Sequence, residues 1–146
     1  MTEEMMQFMI PCNIQHFEHH MSISQFHGAS DILRYELIQH YGGIYVDLDF
    51  EPPRSSNGDF VDWFTFASST DLTCCSEHHS RNIHPASFYC MNGLFSAPRN
   101  HPILKNLVHS LDNNINKWVQ TTGSLNACYS TGPFLLTRML QTRRLP

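Results

Sequence analysis

The sequence predicts an α/β domain, and three stretches predict it. Residues 30–41 carry apolar side chains at helical spacing, residues 44–50 switch to strict alternation, and residues 102–118 return to a helical stripe opened by a proline. A period that changes from 3.6 to 2 and back marks helices packed against a sheet. At 146 residues, with 41% hydrophobic and 15% charged side chains, the chain suits one globular domain with its own core.

Residues 1–28, rich in Met, His and Gln, show no clean period and are set apart from a domain spanning 29–146. In "SDILRYELIQHYGG", Ser30 is the expected N-cap and Asp31 suits the positive first turn, while Ile32, Leu33, Tyr35, Leu37, Ile38 and Tyr41 form the stripe. Gly42 or Gly43 supplies the left-handed stop. In "IYVDLDF", Ile44, Val46, Leu48 and Phe50 then point one way, and Tyr45, Asp47 and Asp49 the other. Pro52 and Pro53 end pairing, so both aspartates are expected on one face at the carboxyl end of the strand, where open α/β sheets place ligands.

The aromatic patch Phe60, Trp63, Phe64 and Phe66 predicts a core-facing element, followed by a surface loop through "TDLTCCSEHHSRNIHP". "SFYCMNGLFSAP" predicts a strand interrupted at Asn92 and Gly93. Pro102 opens an amphipathic helix faced by Ile103, Leu104, Leu107, Val108, Leu111 and Ile115. A last helix follows "STGP", with Pro133 in its first turn and Phe134, Leu135, Leu136, Met139 and Leu140 as its apolar surface.

A formal charge of -4, with no Lys/Arg cluster longer than the terminal "RR", argues against a nucleic-acid partner. No apolar run is long enough for a membrane span, and the acidic start lacks the basic region of a signal peptide. The five cysteines form no CxxC pairs. Cys74, Cys75, His78, His79 and His84 are zinc-type side chains. Adjacent Cys-Cys and His-His point in different directions, however, so a loop is expected there rather than a zinc site.

Two like charges on one strand face repel unless something positive sits beside them. A hard divalent cation meets that need, typically with one or two carboxylates, phosphate oxygens and water around it. Asp47 and Asp49 therefore point to Mn2+ or Mg2+ and to a diphosphate-bearing substrate. A solvated strand end is the plain alternative for so short a motif.

The block "ASDILRYELIQHYGGIYVDLDFEP", followed in order by "NGLFSAPRNHP" and "YSTGPFLLT", closely resembles the family 32 glycosyltransferases, the group with a DxD-containing sugar-binding region. That group includes initiating α-1,6-mannosyltransferases, inositol-phosphoceramide mannosyltransferases and α-1,4-galactosyltransferases. The resemblance implies a GT-A-like nucleotide-sugar transferase core and metal-dependent transfer of mannose, galactose or glucose to an acceptor hydroxyl with retention of configuration. The donor would be GDP-mannose, UDP-galactose or UDP-glucose, the acceptor a glycan or glycolipid, and the setting the Golgi. It assigns Asp49 as main metal ligand, Asp47 as assisting ligand and holder of the ribose or sugar, and Asp31 and Arg34 to donor-sugar hydroxyls. Tyr45 would pack against the nucleotide, and Asn92, Gly93, Ser130, Thr131 and Gly132 would line the donor or acceptor. Glu36 and Glu51 have no such match and are expected in solvent.

Members of the group carry a nucleotide-binding βαβ segment before the Ser-Asp-x-x-Arg helix and continue past the Gly-Pro helix. Residues 1–28 show no such pattern, so the expected core is incomplete at both ends. A second expectation follows from that: a catalytically weak fragment that acts as a cation, sugar-nucleotide or interaction module.

Overall fold

A computed structural model of the protein describes residues 12–51, 71–76 and 89–141. Helix α1 (Ile14–Ser22) leads into α2 (Phe26–Tyr41), which turns at Gly42 into β1 (Gly43–Val46). Strands β2 (Thr73–Ser76) and β3 (Cys90–Ala97) follow, then the long α3 (Pro102–Thr122), the single turn α4 (Ala127–Ser130) and α5 (Pro133–Gln141). The sheet order is β1-β3-β2 with both pairings antiparallel, so β3 is central. Tyr45 of β1 and Cys74 of β2 both lie opposite Phe95.

The core forms where α2 and α3 meet over β3. Ile32, Tyr35 and Ile38 pack with Leu104, Leu107, Val108 and Leu111, and Phe95, Leu135 and Leu136 close the cluster. All but Ile38 and Val108 among these are at most 1% exposed. Each such side chain contributes about 1.5–3 kcal/mol relative to leaving it in water. The helix predicted from Pro102 is found, with Pro102 at its start and Gly123 at its left-handed end. The helix predicted after "STGP" likewise runs from Pro133.

Several sequence expectations change. Helix α2 begins at Phe26, not Ser30, because Gly28 and Ala29 are buried where α1 crosses it. A Cβ on Gly28 would collide with the ring of His20, so the small side chain lets the two helices close. Packing therefore extends the helix past the local capping signal. Ser30 is left inside the helix, where its hydroxyl accepts from Arg34 Nη2 at 3.0 Å.

The β1 strand stops at Val46, and Leu48 and Asp49 lie in a turn rather than on the strand. The Asp47 N–H still donates to Gly93 O at 2.8 Å, but the Asp47 carbonyl accepts from Phe50 N–H at 3.2 Å and the chain bends away. Asp47 and Asp49 therefore do not share one strand face, and two like charges are spared a common column. Strand β3 runs without a break through Asn92 and Gly93, correcting the expected interruption.

Residues 73–76, expected in a loop, form the edge strand β2. Cys74 is joined to Cys90 by a disulfide, which takes its sulfur out of any zinc set. The patch at 60–66 and His78, His79 and His84 lie outside the described residues.

Glu36 is not in solvent. It is 2% exposed and accepts from Asn13 Nδ2 at 2.7 Å, while the same amide donates to Val108 O at 3.1 Å. The first residues before α1 are thereby tied to α2 and α3. Burial pushes the Glu36 carboxyl up from its ordinary value, against the hydrogen bonds from Asn13 and Cys12.

Candidate functional site

One turn of α2 sets two charged side chains on the face that looks toward β3 and the α4–α5 junction. Asp31 and Arg34, three residues apart, are neighbours on that face, with Arg34 Nε 3.5 Å from Asp31 Oδ1. Both residues are 6% exposed. A buried carboxylate needs donors on its oxygens, and β3 and the α4–α5 junction supply them. Asn92 of β3 donates through Nδ2 to Oδ1 at 2.7 Å, and Thr131 donates through Oγ1 to Oδ2 at 3.0 Å. Burial is the largest influence on this acid and pushes it up to about 6, outweighing Arg34, Thr131 and Asn92, which favour the charged form. Gly132 lies close enough that a Cβ there would be 3.1 Å from Asp31 Oδ2 and 2.9 Å from Ala127 O.

Arg34 carries the network to the DxD segment. Its Nη1 donates to Asn92 O at 2.9 Å and lies 3.4 Å from Asp47 Oδ2, while its Nη2 lies 3.3 Å from Asp47 Oδ1. The guanidinium sits 4.4 Å above the ring of Tyr45. Tyr45 donates its hydroxyl to Asp47 Oδ1 at 2.7 Å. Its planar, five-donor guanidinium meets a carboxylate, a carbonyl and the Ser30 hydroxyl together. Period-two geometry places Tyr45 and Asp47 on one side of the chain, as the alternation predicts, and there Tyr45 orients Asp47.

The structure thus brings Asp31, Arg34, Tyr45, Asp47, Asn92, Gly93, Thr131 and Gly132 into one continuous cluster. Asp49 stands outside it. It is exposed on the turn beside the fully exposed Leu48, and no hydrogen bond or ion pair ties it to another described residue. Ser130 is fully buried and its hydroxyl donates to Asn126 O at 2.8 Å, which makes it part of α4 rather than of the cluster.

Two residues that the sequence did not assign to the site belong to the cluster. Ser30 accepts from Arg34, and the hydroxyl of Tyr35 accepts from Asn92 Nδ2 at 3.1 Å and donates to Gly132 O at 3.4 Å. Tyr35 read as one more member of an apolar stripe. Its hydroxyl was the available signal, because a fully buried Tyr needs a polar partner.

A divalent cation fits this donor set in one way. Asp49 offers an open hard-oxygen ligand, and Asp47 keeps its side chain 35% exposed beside it. Among the described residues no group of three or more His, Cys, Asp or Glu is arranged around a common point. A cation held here would draw most of its remaining oxygens from substrate and water, as Mg2+ and Mn2+ commonly do.

The site thus sets a buried Asp–Arg pair behind an exposed DxD turn, on a small sheet packed against helices. Residues 3–65 match the family model described as the glycosyltransferase sugar-binding region containing a DXD motif. A solved structure titled PaToxG glycosyltransferase is similar over 90% of this chain and 40% of that one, with a TM-score of 0.64 and 19% identity. That likeness is one of fold, and this chain spans less than half the length of that structure. No curated protein sequence matches the chain. Among the described residues no helix is long and apolar enough to cross a membrane.

Proposed function

We propose that the protein takes part in hexosyl transfer from a nucleotide-diphosphate sugar to an acceptor hydroxyl, with a divalent cation at Asp49 and Asp47. One observation carries this reading. Asn92 and Thr131, far apart in sequence, converge on the buried carboxylate of Asp31, and Arg34 joins that acid to Asp47, beside an exposed Asp49 with no tie to another described residue. A solvated strand end needs neither the convergence nor the buried arginine.

In this reading Asp49 and Asp47 would hold Mn2+ or Mg2+. When bound there, such an ion supplies counter-charge to the diphosphate as it leaves. Asp47 meets the donor from its exposed side, oriented by Tyr45 and Arg34 from behind. Asp31 and Arg34 form the wall against which the donor sugar rests, and Thr131 and Asn92 hold that wall in one arrangement. Fixing the charged groups before the donor arrives is what makes electrostatic stabilisation effective, since nothing has to reorganise during the reaction. Mannose, galactose or glucose on GDP or UDP is the donor class, a glycan or glycolipid hydroxyl is the acceptor, and the transfer retains configuration.

A donor panel of GDP-mannose, UDP-galactose and UDP-glucose, scored for sugar release or transfer with and without Mn2+, tests this. The expected result is turnover of one donor that needs both Mn2+ and Asp49. Thermal stabilisation by Mn2+ with GDP or UDP but no turnover would leave a binding module. Neither stabilisation nor turnover would overturn the reading.

A further inference from the structure

The geometry points to Arg34 as a resident counter-ion that keeps Asp47 from taking a divalent cation on its own, so that cation binding waits for the donor diphosphate. This inference rests on the donor-site reading above. Three observations lead to it. First, the guanidinium covers both oxygens of Asp47, at 3.3 Å to Oδ1 and 3.4 Å to Oδ2. Second, Oδ1 also accepts from Tyr45 Oη at 2.7 Å, and Gly93 backs Oδ2 so closely that a Cβ there would stand 2.5 Å from it. Third, Arg34 cannot easily swing away, because its side chain is 7% exposed and the same two terminal nitrogens also hold Asn92 O at 2.9 Å and Ser30 Oγ at 3.0 Å.

A carboxylate offers about four lone-pair positions to donors or metal ions. Here three donor contacts already fall on Asp47, and its charge is matched by a fixed cation. Asp31 does not draw Arg34 away. It contacts Arg34 through one nitrogen at 3.5 Å and has Asn92 and Thr131 as donors of its own. Asp49 is left as the one unshared carboxylate of the pair, and a single carboxylate is a weak site for Mg2+ or Mn2+. The diphosphate supplies the missing oxygens and charge. Cation and nucleotide are therefore coupled: each raises the affinity for the other by the same factor.

A neighbouring unit charge changes a carboxylate's affinity for a proton by roughly ten-fold or more, and a divalent ion is repelled at least as strongly. The test measures Mn2+ binding without nucleotide, by loss of the free-ion paramagnetic signal, in wild type, Arg34→Gln and Tyr45→Phe. Arg34→Gln is expected to bind Mn2+ alone roughly ten-fold tighter than wild type, since it removes the charge and uncovers both oxygens. Tyr45→Phe, which removes one donor and leaves the buried wall intact, is expected to tighten binding about three-fold, and it decides the matter if Arg34→Gln does not fold. Equal affinities across the folded proteins would overturn the counter-ion role and leave the donor site standing. No stabilisation of any of them by Mn2+ with GDP or UDP would overturn the donor site, and this inference with it.

Discussion

Gly93 of β3 and Asp47, the residue after β1, face each other so closely that a single methyl group on the glycine would stand 2.5 Å from Asp47 Oδ2 and 3.1 Å from Phe50 Cε2. The glycine is there for room, since it continues an unbroken strand. Gly93→Ala should displace the carboxylate while leaving the helical core in place. Misplacing a reacting or charge-bearing group by about 1 Å costs up to about 10²-fold. A loss of that order in donor turnover, with the far-ultraviolet spectrum retained, is the expected outcome; unchanged turnover would mean that Asp47 does not act from this position.

Asp49 separates chemistry from stability. It is exposed and makes no tie to another described residue, so Asp49→Ala should change stability by less than about 0.5 kcal/mol. Loss of a preorganised charge at the leaving group should lower transfer roughly 10²-fold or more. Denaturant midpoints and turnover measured on the same preparation check both halves.

Asp31 gives a pH signature of a definite sign. Its carboxyl is raised from 3.8 to about 6, so the folded state holds a proton that the unfolded state has already released. Stability from this group is fully present below pH 3.8 and is lost as pH rises through about 6. Arg34 and Asp47 are the charged neighbours that share its titration. Asp31→Asn removes the titrating group, so the wild-type stability minus that of the variant should fall between pH 4 and 6 and then level off. A flat difference across that range would contradict the assignment.

Glu36 offers a structural control on the far side of the same helix. Glu36→Ala strands the Asn13 amide and the backbone of the segment entering α1, at a cost of about 1–3 kcal/mol. Chemical denaturation should show this loss. Donor turnover of the folded fraction should stay at the wild-type level, because Glu36 touches none of the Asp31–Asp47 cluster.

Much of the architecture was legible because it rests on local periodicity. The helices at Pro102 and Pro133, the stop at Gly42 and the start of β1 follow from apolar spacing and from proline and glycine chemistry. Failures came where partners on another element outweigh local preference. His20 packs on Gly28 and moves the start of α2, and Cys90 takes Cys74 into an edge strand. Asn13 draws Glu36 out of solvent. The two residues of each pair lie on different segments of the fold, so the pattern of no single element contains both.

The same division runs through the candidate site. The sequence by itself determined which side chains were available and that Asp31 and Arg34 lie one helical turn apart, because spacing along a helix is a local property. Alternation along β1 likewise determined that Tyr45 and Asp47 share a side. Only the tertiary structure decided how the two aspartates differ. Asp47 is drawn inward by a buried guanidinium that also grips Asn92, 58 residues away from it in sequence, while the turn at Leu48 leaves Asp49 in solvent. The physical reason is that a buried charge must find its partners in three dimensions, and those partners come from whichever elements the core packs beside it.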